Sequence, residues 1–407
     1  MQRVVFVNLH CNSMLVKTMN KFIYKQSAAL KHKYLLDYLL DNPEYEVCTY
    51  INEHGFSMAS ELNPLLMKVL RNFRFLENRI VLKKNNVDSK KITVLRNLSD
   101  IKPTDIVLAY RNTTSCMYNF DKIDAFRAIS MIHFWGKRSE SKLMESLQPD
   151  ILFNEVDLNR YSEIFQRFYG WYKKDFIVHP FVFQPRFQRI KPFAERQNKA
   201  FATGTITYKN DPDFLEVYGE PCDQPARKQI KDDSEFFKDT IDCTSIDYNE
   251  DHAGKELKKT DNAFVSFYKK LYNKRHQGQQ KKYFSFNMVE KFNDYKMCIV
   301  GEEVLGIPGI GFVEGMACGA AYIGQTIGYY EDYGMKAGVH YIGYDGTKED
   351  LKRVIEYYQM PEHQEELEQI AKTGCEFVHK NFCGHVVAER LIQSLKVEQQ
   401  KWLKDNK

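Results

Sequence analysis

Short apolar runs alternate with amphipathic stretches through the first 190 residues. The runs 3–9, 46–51, 105–110, 130–134, 150–153 and 176–179 are bounded by polar residues, the pattern of buried strands. The stretch 27–40 carries apolar residues at helical spacing and stops at Asp41-Asn42-Pro43. Strands separated by helices predict a parallel sheet covered on both faces. Residues 180–198 break the pattern, because Pro180, Pro185 and Pro192 stand among Arg, Lys and Gln, the composition of a linker. A second series follows. The run 199–208 predicts a strand with a turn at Gly204-Thr205, and 226–285 reads as lysine-rich helices with an exposed loop at 247–259. Strands are expected at 296–300, 320–323 and 340–345, a short loop at 329–338, and helices at 348–358, 361–377 and 381–391. The expected fold class is α/β.

The stretch 309–324 (GIGFVEGMACGAAYIG) carries the densest chemistry. Gly309-Ile310-Gly311 forms a turn whose backbone N–H groups can approach a ligand closely, and it runs into a short helix whose N-terminus favours an anion such as a diphosphate. Glu314, on the first turn, can accept two hydrogen bonds from a sugar diol. Diphosphate plus ribose describes a nucleotide-sugar donor. The same residues also suit an ordinary loop–helix–strand connection, with Glu314 merely favourable near a helix N-terminus.

Residues 309–314 and 315–319 resemble the donor-site signature of GT-B glycosyltransferases, a G-x-G-x-x-E-x-M-A-x-G-type run. The likeness covers roughly residues 296–395 and is nearest to the group 1, spore-maturation-type subgroup. It implies two Rossmann-like domains facing across a cleft: an acceptor domain at 1–190 and a nucleotide-sugar donor domain at 197–385. A C-terminal helix at 386–407 would cross back onto the first. The implied reaction moves a sugar from a nucleotide-sugar donor, a substrate and not a cofactor, to a glycan or lipid-linked acceptor in surface polysaccharide or glycoconjugate synthesis. Retaining members carry a first Glu eight positions before the second, where this chain has Gly306. Glu302 and Glu303 lie slightly upstream, and Glu302 is counted among the donor contacts. Retention and inversion both stay open.

A departing diphosphate needs a cradle and positive charge. Gly204 and Thr205 are the second expected cradle segment, Lys209 stands five residues after Gly204 as in the family's G…K arrangement, and Arg227 is the next cation. Each cation could instead be a solvated surface charge. His133, near the end of an apolar run and before Trp135-Gly136-Lys137-Arg138, is with Glu314 a catalytic candidate: it could bond the donor sugar or take the acceptor proton. The alternative is a satisfied, half-buried histidine. Tyr110-Arg111 and Asn8, His10 and Asn12 are weaker candidates at strand ends. Asp211-Pro212-Asp213 has the form of a D-x-D metal motif but lies in a loop, where an Asp-Pro turn explains it better, so no metal is expected. The segment 65–84 is basic and amphipathic; it suits either a peripheral contact with an anionic membrane or a solvated helix face.

A length of 407 residues suits two domains, and a net charge of +4 is too mild for a nucleic-acid binder. Nine cysteines without C-x-x-C pairs read as reduced thiols, and no signal peptide or spanning segment is expected. The expected location is cytoplasmic, with contact at the inner face of a membrane. Two other functions fit: a GT-B-type nucleotide-sugar epimerase or hydrolase, and a nucleotide-sugar-binding pseudoenzyme in which Gly306 marks lost turnover.

Overall fold

The computed structural model describes residues 1–11, 15, 32–55, 71–110, 117–132, 134, 136–248, 265 and 287–406. The chain forms two compact units, one from 1–184 with 381–407 and one from 185–380. They are called unit 1 and unit 2 below.

Among the described residues, unit 1 is built on seven strands: β1 Gln2–Val7, β2 Tyr45–Tyr50, β3 Thr93–Leu95, β4 Ile106–Tyr110, β5 Phe126–Ser130, β6 Ile151–Asn154 and β7 Ile177–Val178. Their order is β3-β2-β1-β4-β5-β6-β7, and every pairing is parallel. Both faces of the central strands are covered, so β1 and β4 read as unbroken apolar runs: Val4, Val5, Phe6 and Val7, then Ile106, Val107 and Leu108, are all buried. The helix Gly384–Asp405 belongs to this unit. Its Ala388, Leu391, Ile392 and Leu395 share one core with Val4, Phe6, Leu36 and Leu39, and Gln399 donates to the Thr104 and Asp105 carbonyls at 2.9 and 3.1 Å.

Unit 2 holds β8 Gln197–Ala202, β10 Ile241–Cys243, β12 Tyr295–Ile299, β13 Ala321–Gln325 and β14 Ile342–Tyr344 in the order β10-β8-β12-β13-β14, again parallel. A separate parallel pair joins β9 Thr205–Thr207 to β11 Ile246–Tyr248. The chain leaves β8 to one side for β10 and returns on the other side as β12. The strand order therefore reverses between β8 and β12, and in open α/β sheets that is where ligands bind, outside the carboxyl ends of the strands.

Several expectations need correction. The strand expected at 130–134 is Phe126–Ser130; Arg127, which pairs with Asp150 at 3.3 Å, breaks the apolar run that would have shown it. The region 226–285 is not helical throughout its described part: after the helix Pro225–Asp232 come β10 and β11. These strands read Ile-Asp-Cys and Ile-Asp-Tyr, and each Asp finds a partner (Lys199 for Asp242, Lys231 for Asp247) that the sequence does not display. The loop expected at 329–338 begins as a helix, Gly328–Asp332. The final helices are Gln364–Asn381 and Gly384–Asp405, parted at Phe382-Cys383. The helix expected from residue 27 is described from Lys33 to Asp41, and 27–31 lie outside the described residues. Among the described residues, no helix is long and apolar enough to cross a membrane.

Candidate functional site

The carboxyl ends of β8 and β12 are held by Arg227, from the helix Pro225–Asp232. Its Nη1 donates to the Thr205 carbonyl at 2.8 Å, its Nη2 to the Gly301 carbonyl at 3.2 Å, and its Nε to the Val300 carbonyl. Glycines line the side chain. A Cβ on Gly204 would lie 2.6 Å from Nε, one on Gly309 2.6 Å from Nη2, and one on Gly301 3.1 Å from Cγ. Gly204 and Gly301 also have φ of 135° and 67°, a region L side chains avoid. Arg227 as a whole is only 7% exposed, and among the described residues it makes no ion pair. Buried charges are ordinarily paired; among the described residues unit 2 holds two guanidinium groups that are not, Arg196, bonded to backbone carbonyls and Asn293, and Arg227, the one that stands at the strand-order reversal. Sequence reasoning had Gly204, Thr205, Arg227 and Gly309 as candidates, and the structure brings all four together. Gly301 was missed.

Val300 leads into the second part of the site. The helix Gly311–Ala317 packs closely against Cys298 of β12 and the following Val300 because Gly311 and Gly315, one turn apart, present no side chain there. A Cβ on Gly311 would stand 2.9 Å from Val300 Cγ2, and one on Gly315 2.5 Å from Cys298 Sγ. Ile310 is the residue before the helix. The last carbonyls of the helix are satisfied from elsewhere: Arg196 donates to the Cys318 carbonyl at 2.8 Å, and His379 Nε2 meets the Ala317 carbonyl at 3.1 Å. Glu314 is buried on the first turn.

Glu302, two residues beyond Val300, is buried. Its Oε1 accepts from Tyr330 Oη at 2.9 Å, Tyr322 Oη at 3.1 Å and the Gln325 N–H at 3.0 Å. Its Oε2 has no hydrogen-bond partner among the described residues. Burial raises its carboxyl above the usual range, opposed by the phenol and amide donors. The tyrosines were missed; the only signal was the aromatic density of 329–333. Glu303 bridges back to Ile307, and Gly306 makes that turn at φ 79°.

Lys209, expected as a second cation, faces Asp223 at 2.7 Å, with both side chains nearly buried. Asp211 caps the helix Pro212–Tyr218 through the Asp213 N–H at 3.0 Å, with Pro212 in the first turn. In unit 1, Asn8 (φ 49°) accepts from the Asn52 N–H at 3.0 Å, and His10 Nε2 meets the Gly55 carbonyl at 2.5 Å. Tyr110 is buried, and its Oη has no partner among the described residues. His133, Arg111, Asn12, Trp135 and the segment 56–70 lie outside the described residues.

No family model matches the chain, and no curated protein sequence matches it. Solved structures do match over its whole length. HepE from Anabaena, in complex with UDP and glucose, has 11% identity and a TM-score of 0.50, covering 98% of this chain and 100% of that one. Sucrose-phosphate synthase from Thermosynechococcus elongatus has 10% identity and a TM-score of 0.52, covering 99% and 100%. The N-terminal domain of trehalose-6-phosphate phosphatase from Candida albicans has 10% identity and a TM-score of 0.53, covering 98% and 99%. Identities this low speak for architecture alone, and on that ground the chain has an α/β fold of the GT-B type, with a large parallel sheet in each unit and a C-terminal helix returned to the first.

Proposed function

We propose that this protein is a glycosyltransferase and that unit 2 holds its nucleotide-sugar donor. The observation that carries the reading is Arg227, a buried guanidinium without a carboxylate partner among the described residues, set where the strand order reverses. An anionic ligand would complete it, and a diphosphate fits the glycine turns at Gly204 and Gly309 around it. HepE in complex with UDP and glucose and a sucrose-phosphate synthase share the fold, which supports a nucleotide-sugar donor over other anions.

In this reading Arg227 stabilises negative charge on the leaving diphosphate, as preorganised cations do in a closed site. Gly204, Thr205, Gly309, Ile310 and Gly311 shape the cradle, and Lys209 keeps the neighbouring turn in place through Asp223. Glu314 accepts from the ribose diol, Glu302 meets the sugar, and His133 from unit 1 serves the acceptor. The cation takes the place of a metal, so transfer proceeds without one. The acceptor is a glycan or a lipid-linked sugar in surface polysaccharide or glycoconjugate synthesis. Residues 65–84 would rest against the inner face of a membrane in a cytoplasmic protein.

A thermal-shift comparison of UDP, GDP, CDP and TDP tests the donor site. A matching nucleotide at 100 times its Kd should stabilise the protein by about 2.7 kcal/mol. Following UDP-glucose with and without acceptor extract then tests the reaction: transfer only with acceptor supports it, acceptor-independent turnover points to an epimerase or hydrolase, and no response to any of the four nucleotides overturns the reading.

A further inference from the structure

Glu302 is buried, yet no cation stands within ion-pair distance among the described residues, and Oε2 has no partner. A carboxylate in that position would leave a bare charged oxygen in the interior, a state that buried acids escape by taking up a proton. The oxygens around it favour the same outcome. Glu302 Oε1, Tyr322 Oη and Tyr330 Oη form a triangle with sides of 3.1, 2.9 and 2.8 Å, each within hydrogen-bonding reach. Two phenols bring two protons for three sides. A carboxyl proton supplies the third and removes the lone-pair contact otherwise left on one side.

We propose that burial keeps Glu302 an uncharged carboxylic acid and that Tyr322 and Tyr330 are positioning residues that orient it, its proton closing a ring of three oxygens, so that Oε2 is presented as a neutral acceptor to a hydroxyl of the ligand. The inference rests on unit 2 binding a nucleotide sugar. It assigns the two ends of the loop 300–302 different partners: the Arg227 cation takes the anion, and Glu302 reads the sugar. An uncharged Glu302 also leaves the positive charge of Arg227 to the diphosphate alone. The titratable groups that face Glu302 are Tyr322 from β13, Tyr329 and Tyr330 from the helix Gly328–Asp332, and Tyr341 and Tyr344 beside and on β14. Burial raises all five phenols, so they stay protonated across the neutral range and Glu302 titrates against a neutral wall.

Infrared difference spectra of the full chain against Glu302→Gln, without ligand, read the charge directly. A protonated-carboxyl carbonyl band lost in the variant is expected near neutral pH; loss of carboxylate bands instead overturns the proposal. Calorimetry with UDP-glucose and with UDP reads the hydroxyl contact. Glu302→Leu should lose at least tenfold more affinity for UDP-glucose than Glu302→Gln does, with UDP affected less than threefold by either. Equal losses in the two variants would mean that the charge mattered, and they also overturn it. In Tyr330→Phe, which lacks a donor favouring the charged form, the fall of UDP-glucose affinity with rising pH should move to higher pH, whereas a merely structural tyrosine would leave that profile in place and refute the positioning role. Failure of both ligands to bind would reject the donor reading and the hydroxyl contact with it, while the infrared band still decides the charge of Glu302.

Discussion

Replacing Arg227 by Met separates two tasks that one side chain performs. Met keeps most of the stem and removes the fork, and with it three hydrogen bonds to the carbonyls of Thr205, Val300 and Gly301. Bonds from a charged donor contribute about 1.5–3 kcal/mol each, so their loss alone would destabilise by roughly 4–9 kcal/mol. Against this stands the penalty for burying a guanidinium with no counter-ion, which is also several kcal/mol. The two terms are of similar size, and the ligand-free variant should stay within about 2 kcal/mol of the parent. The ligand's contribution has no such compensation. UDP at about 100 times its Kd adds about 2.7 kcal/mol to the parent, which for a unit the size of 185–380 raises its melting transition by roughly 5–11 °C. A hundredfold loss of affinity leaves about 0.4 kcal/mol at the same UDP concentration, or about 1 °C. Differential scanning calorimetry with and without UDP measures both quantities on one sample. A full UDP shift in the variant would show that Arg227 does not meet the anion. A ligand-free transition lowered by more than about 10 °C would show that its charge is already compensated and that it serves as a clamp.

Three more outcomes are expected. Glu314→Gln should weaken UDP-glucose binding by about 1.5–3 kcal/mol at an unchanged melting temperature, since it removes a charged acceptor from a diol; wild-type affinity by calorimetry would take Glu314 out of the site. Burial holds the imidazoles of His10 and His179 down to about 4 and about 3. A depressed histidine stabilises the fold above its unfolded pKa near 6.5 and loses that contribution as pH falls towards the folded value, so His10 should remove about 3 and His179 about 5 kcal/mol across their windows; a urea titration series in which His179→Gln leaves the acid slope of unit 1 untouched would contradict this. Gly315→Ala should destabilise unit 2 by about 1–3 kcal/mol because the new Cβ would meet Cys298 Sγ at 2.5 Å, and adding Cys298→Ala should recover most of that loss.

What the sequence disclosed and what it hid divide along a physical line. Strands buried on both faces, such as Val4–Val7 within β1 or Ala321–Ile323 within β13, are visible as apolar runs because every position faces a core. Strands of two or three residues that carry ion pairs, such as β10 and β11, are not, because their Asp residues look like loop chemistry until Lys199 and Lys231 are placed beside them. Arg227 was legible as a cation near a donor, but not as a clamp: its partners are backbone carbonyls, which any residue supplies. Lys209 looked like a free charge because Asp223 lies fourteen positions away and no periodicity links the two. The tyrosines around Glu302 come from separate elements that only the sheet order of β12, β13 and β14 places side by side.

The placement of the helix Gly384–Asp405 bears on how the protein is made. A chain leaves the ribosome from its N-terminus, so the sheet of unit 1 and then the whole of unit 2 are synthesised before Ala388, Leu391, Ile392 and Leu395 can join Val4 and Phe6. Unit 2 is able to finish while its predecessor still waits with one apolar flank bare. Nascent sheets in that condition aggregate and recruit chaperones, and closure over so long a sequence separation is slow. The remedy is already sketched in the fold, since Gln2 and Gln399 both donate to the Thr104 carbonyl at 2.9 Å. A circular permutant that begins at this helix and links it to β1 would emerge with its flank covered first, turning a late, long-range closure into an early, local one.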